Sequence, residues 1–124
     1  MRRPERLAEV LREEITEVVG FEMEDPRLLG VTVTDVVVSE NLRDAKVFVI
    51  VEGEEKEIRE ALRALQNAAS FVRQQVAFNL DLNHAPHLNF VRDTVEENAA
   101  RVDELLQDLE QKGENLERNE LSEK

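Results

Sequence analysis

The histidines His84 and His87 flank Pro86 in an H-x-x-H step, the most reactive-looking pair in a chain without cysteine. Two neutral imidazoles at that spacing can hold a divalent cation, but a zinc-type site needs further ligands. No convincing third ligand stands near them, so no metal is assigned. Ser39 and Ser70 lie outside any nucleophile-elbow pattern, and the 28 acidic residues show no spacing that isolates an acid/base pair. No catalytic residue and no cofactor is expected, and the protein is not read as an enzyme. Binding chemistry is what remains. Arg2, Arg3 and Arg6 form the one dense basic cluster, suited to a mobile arm that gains contacts to phosphates without disturbing a core.

Composition constrains what such cations can do. The 124 residues carry 28 acidic and 16 basic side chains, a net charge of −12, which at face value opposes binding to a polyanion. The excess is uneven. Residues 94–124 hold ten acidic and four basic residues, leaving eighteen against twelve over residues 1–93. Average charge does not forbid a local basic face. An acid-rich surface with few lysines also fits a high-salt proteome. A 41% hydrophobic content in this length suits one core, and with five Phe and no Trp or Tyr that core must be aliphatic. The lack of cysteine suits a reducing compartment, glutamates interrupt every candidate signal-peptide core, and no apolar run approaches the roughly 20 residues of a membrane span. A soluble, cytoplasmic protein without a membrane partner is expected.

The elements that must position these residues follow from periodicity. Residues 4–19 place Leu7, Val10, Leu11, Ile15, Val18 and Val19 at three- and four-residue steps behind Pro4, the pattern of an amphipathic helix that Gly20 can end. Asp25-Pro26 biases the chain into a turn. Residues 31–39 and 45–52 are β-branched runs joined by a short polar link, predicting an antiparallel hairpin. After Gly53 an apolar stripe runs from Ile58 to Leu80. Its length, with the small residues Ala68-Ala69-Ser70 near the middle, predicts two helices joined at a kink. Residues 87–93 alternate as a third strand. Thr94 can cap a last helix whose apolar stripe runs from Val95 to Leu109, with Glu97 as capping-box partner. The expected organisation is one domain over residues 1–110 and an acidic, disordered tail over 111–124.

The order helix, strand, strand, helix, helix, strand is that of a type II KH domain, an α+β fold. Asp25-Pro26-Arg27, Val31-Thr32-Val33-Thr34-Asp35-Val36, Val38-Ser39, Leu42 and Ala45-Lys46-Val47-Phe48-Val49 resemble the signature of the ribosome-binding factor A family. Ala61-Leu62, Leu65, Ala68, Phe71-Val72-Arg73, Pro86-His87-Leu88-Asn89-Phe90 and Asp93 continue the likeness in order and spacing, from about Arg6 to Leu109. The resemblance implies a non-enzymatic factor that binds the 30S ribosomal subunit through 16S rRNA, assists its late maturation, including processing of the RNA ends, and leaves before translation. It also implies an Ala-x-Gly kink in place of the KH Gly-x-x-Gly loop. The matching residues are Ala68, Ala69 and Ser70, with Ser where Gly is usual.

A type II KH fold presents phosphate donors around its helix junction and the adjoining strand, which makes Arg73 the foremost RNA-binding candidate beside Arg2, Arg3 and Arg6. Arg27, Arg43, Lys46 and Arg92 are secondary. Without Trp or Tyr, recognition of RNA shape and backbone fits better than base stacking. A monomer is expected, with no small-molecule substrate. The alternative is a KH-like scaffold whose acidic surface binds basic ribosomal or other proteins. An RNA binder should gather its basic residues on one face, and a protein binder should spread them.

Overall fold

Val31, Val33, Val36 and Val38 cannot all face one side of a regular strand, because alternation puts residues three apart on opposite faces. The computed structural model, which describes residues 3–94, resolves this with a bulge. Strand β1 (Val31–Val38) pairs antiparallel with β2 (Asp44–Val51), and the register shifts between Val33 and Asp35. The extra residue, Thr34, restores the phase, so all four valines share a face with Ala45, Val47, Val49 and Val51. The Thr34 hydroxyl donates to Asp93 Oδ2 at 2.6 Å and lies 3.2 Å from the Phe48 carbonyl.

The expected hairpin is present, and its turn is built from side chains. Asn41 Oδ1 accepts from Ser39 Oγ and from the Arg43 amide, while Ser39 Oγ accepts from the Asp44 amide. The third strand, β3 (His87–Arg92), runs parallel to β2 and completes a sheet of order β1-β2-β3. Among the described residues, both β1 and β3 are therefore edge strands.

Helix α1 (Arg3–Glu17) does not end at Gly20. It continues into a π-helical turn, Val18–Glu22, in which the Met23 amide donates to the Val18 carbonyl at 3.2 Å. The wider turn accommodates one more residue and keeps both Val18 and Val19 buried. A Cβ on Gly20 would meet nothing within 4 Å, so glycine is not required there.

Gly53, at φ +132°, adopts a backbone conformation that favours glycine and leads into α2 (Glu55–Asn79). Glu54 caps this helix in a reciprocal box with Glu57. Where the sequence predicts two helices joined at Ala68, Ala69 and Ser70, the structure has one helix of 25 residues. None of the three lacks an N–H or carries the backbone cost of glycine, so the hydrogen-bond ladder continues through them.

Both helices cover the same sheet face. Leu11, Ile15 and Val18 from α1 and its π turn, the inward valines of β1 and β2, Ile58, Leu65, Val72 and Val76 from α2, and Leu88 and Phe90 from β3 form one buried cluster. Each large aliphatic side chain hidden there contributes about 1.5–3 kcal/mol. These elements form one unit ending at Asp93. The helix expected after Thr94 and the tail over 111–124 lie outside the described residues. Among the described residues, no helix is long and apolar enough to cross a membrane.

Candidate nucleic-acid interface

Glu55, Gln66 and Arg73 are eleven and eighteen residues apart, three and five helical turns, so they lie on one flank of α2. Each reaches the free edge of β3 or the loop before it. Arg92 Nη1 stands 3.1 Å from a Glu55 carboxylate oxygen. Gln66 Oε1 accepts from the Phe90 amide at 2.9 Å, and its Nε2 donates to Asn89 Oδ1 at 3.3 Å. Arg73 Nε donates to the Ala85 carbonyl at 2.9 Å. This seam ties the strand edge to the helix and gives the Phe90 amide a partner that sheet pairing does not provide.

Beside the seam lies the outward face of α2. Lys56, Arg59, Arg63, Asn67, Ser70 and Gln74 are all exposed and follow one another at three- and four-residue steps. Residues 61–80 contain no acidic side chain. Over residues 61–92 a single acid, Asp81, stands against Arg63, Arg73 and Arg92, a net charge of +2 within a chain of −12. Carboxylates beside a phosphate repel it and carboxamides do not, so the part of α2 after Glu60 is its stretch most compatible with a polyanion, bounded by Glu55, Glu57 and Glu60 at one end and by the Glu14 and Glu22 contacts to Asn79 at the other. The expected sign of an RNA face was an accumulation of cations. What α2 shows after Glu60 is a withdrawal of acids, legible in the sequence as a stretch without Asp or Glu.

Among the described residues, the basic candidates do not gather on one face. Arg2 lies outside the described residues, Arg3 opens α1, and Arg6 is exposed further along it. Arg27 is folded back on Asp25 in a bidentate pair, Nε to Oδ1 at 3.1 Å and Nη2 to Oδ2 at 2.7 Å. Asp25 also accepts from the Arg27 amide and caps the short 3₁₀ turn Pro26–Leu28. The hydrogen bonds from Arg27 hold the Asp25 carboxyl below its ordinary range. Lys46, in register with Val37 and Asn89, lies on the sheet face opposite the helices. Arg92 is paired with Glu55. Arg43 and Arg73 come to the same end of the sheet, where the Arg43 carbonyl accepts from the His87 amide at 2.8 Å and Arg73 holds Ala85. His84 and His87 are exposed there. No group of three or more His, Cys, Asp or Glu among the described residues is arranged to hold a metal ion.

Comparison with known proteins agrees with the fold and the residue pattern. The family model for ribosome-binding factor A matches residues 3–106. The ribosome-binding factor A of Solibacter usitatus is 43% identical over 105 residues, 85% of each chain. The solution structure of a putative ribosome binding factor A from Thermotoga maritima superposes with a TM-score of 0.65 at 32% identity, covering 75% of this chain and 89% of that one. A homology model of the Thermus thermophilus ribosome binding factor A, as fitted into a cryo-EM map of a 30S–factor complex, gives 0.59 at 28% identity, covering 74% of this chain and 93% of that one. With its KH-like α+β fold, the chain belongs to the ribosome-binding factor A family.

Proposed function

We propose that this protein binds the immature 30S subunit through 16S rRNA and promotes its late maturation, including processing of the 16S rRNA ends, without catalysing a reaction itself. The contact surface is the outward face of α2 together with the seam to β3. The observation that carries this reading is the single acid within residues 61–92 of a chain with 28. A relative fitted into a 30S complex supports the choice of partner. Arg63 offers its guanidinium to phosphate, while Asn67, Ser70 and Gln74 offer neutral donors and acceptors. Arg73 orders the loop before β3 through Nε, and so acts on the contact surface by positioning the loop as well as by its charge. The site of action is the cytoplasm, and the protein works as a monomer with no small-molecule substrate.

The test is co-sedimentation of the full chain with immature and mature small subunits at several salt concentrations. Preferential retention on immature subunits, lost when Asn67, Ser70 and Gln74 are all changed to Glu, is the expected result. Retention that survives this change but is lost when Glu9, Glu13 and Glu17 become Gln would transfer the contact to the acidic surface and to a basic protein partner.

A further inference from the structure

The interior uses only two of the five phenylalanines. Phe48 and Phe90 are buried, whereas Phe21, Phe71 and Phe78 are 75%, 43% and 83% exposed. A large aromatic ring left in water forgoes burial worth about 1.5–3 kcal/mol, so clustered exposed rings mark a surface that meets something else. Phe71 and Phe78 are not scattered. They are seven residues apart on α2, two helical turns, on the outward face with Asn67, Ser70 and Gln74. Residues 61–80 contribute no carboxylate of their own, and Glu14 and Glu22 reach this stretch only at Asn79, whose Nδ2 donates to Glu14 Oε1 at 2.8 Å.

By sequence, the absence of Trp and Tyr argues against a stacking surface. The structure supplies one from phenylalanine. Two turns of helix separate the attachment points of the rings by about 10.5 Å, against a rise of roughly 3.4 Å between stacked bases along a duplex strand. A ring can stack only on a base whose face is uncovered, so bases resting on both rings must be splayed out of their own stack, which a single strand allows and a duplex does not. The flanking amides of Asn67 and Gln74 suit base edges and ribose, and Arg63 one turn before Asn67 suits the phosphate that precedes them.

We propose that Phe71 and Phe78 are base-stacking platforms and that the RNA taken by this face is single-stranded, with two splayed bases laid along α2. This rests on the reading above that the face contacts rRNA, and it names the class of RNA segment. Stacking tolerates any base, so the platform selects unpaired structure more than sequence.

The experiment measures fluorescence anisotropy of a labelled mixed-sequence 12-nucleotide RNA, alone and annealed to its complement, with the full chain at low salt. The single strand should bind at least about tenfold more tightly than the duplex. Phe71→Leu and Phe78→Leu keep the apolar character but remove the ring, and each should weaken single-strand binding by about five- to tenfold. Neither should change duplex affinity or the salt dependence, whereas Arg63→Ala should lower the salt slope by about one. Equal binding of duplex and single strand, or leucine variants that match the wild type, would overturn the stacking assignment. So would sedimentation velocity showing a dimer that Phe78→Leu dissolves, since the rings would then face a second copy. If stacking fails while the triple Asn67, Ser70 and Gln74 to Glu variant still loses subunit binding, the rRNA contact stands without it. If that variant also binds normally, the reading beneath fails too.

Discussion

The two helices are built alike on the inside and differ on the outside once α2 has passed Glu60. Both press an aliphatic stripe into the same core, α1 with Leu11 and Ile15 and α2 with Leu65 and Val72. On the exposed side α1 carries Glu5, Glu9, Glu13 and Glu17 with Arg6 and Arg12 between them, whereas α2 has no acid after Glu60. Burial and periodicity cannot distinguish the two. What differs is which charges were kept out, and that difference survives a net charge of −12. In an acidic protein, a candidate surface for a polyanion is sought by missing carboxylates as well as by added cations.

The likeness inside is tested by Leu65→Ala and Ile15→Ala. Each should cost about 2–5 kcal/mol by urea denaturation, because both side chains are fully buried. A cost confined to one helix would mean that the core is not shared as described. The difference outside is tested by charge. Three glutamates at positions 67, 70 and 74 should weaken subunit binding by about 100-fold at low salt, while Gln at positions 9, 13 and 17 should change it by less than about threefold. The binding constants are read from co-sedimentation across a salt series.

A smaller effect sharpens the role of the seam. Gln66→Leu removes the acceptor for the Phe90 amide and should lower stability by about 1 kcal/mol, with faster hydrogen exchange at Phe90. The smallest effect belongs to the turn before β1. The Asp25 carboxyl titrates below its ordinary value of 3.8 in the folded chain, so its contribution is present above that value and is lost as pH falls through the lowered one. Asp25→Asn should therefore lower neutral-pH stability slightly and flatten the acid end of the stability profile by the same small amount, because the pair with Arg27 is exposed, and should leave subunit binding nearly unchanged.

Much of this was legible along the chain. Local patterning is enough to place two β-branched runs in a hairpin, a helix before them and an apolar stripe after them, because each signal lies within a few residues. The family resemblance drew on the same positions. Ala68-Ala69-Ser70 misled because small residues permit a bend without requiring one. Gly20 misled because a π turn satisfies the same backbone groups without a stop. The sequence ranks Arg73 ahead of Arg92 and Arg27 as a phosphate donor, and only the fold shows that they hold Ala85, Glu55 and Asp25.

The sequence by itself determined the elements, the aliphatic core, the family and the stretch without acids, since composition and period are properties of the chain. The tertiary structure decided the parallel pairing of β3 with β2, the face on which Lys46 lies, the bulge at Thr34 that brings four valines inward, and the exposure of Phe71 and Phe78 on one ridge. Each of these depends on which distant segments meet. That meeting is set by the burial of a shared apolar face, which no local window contains.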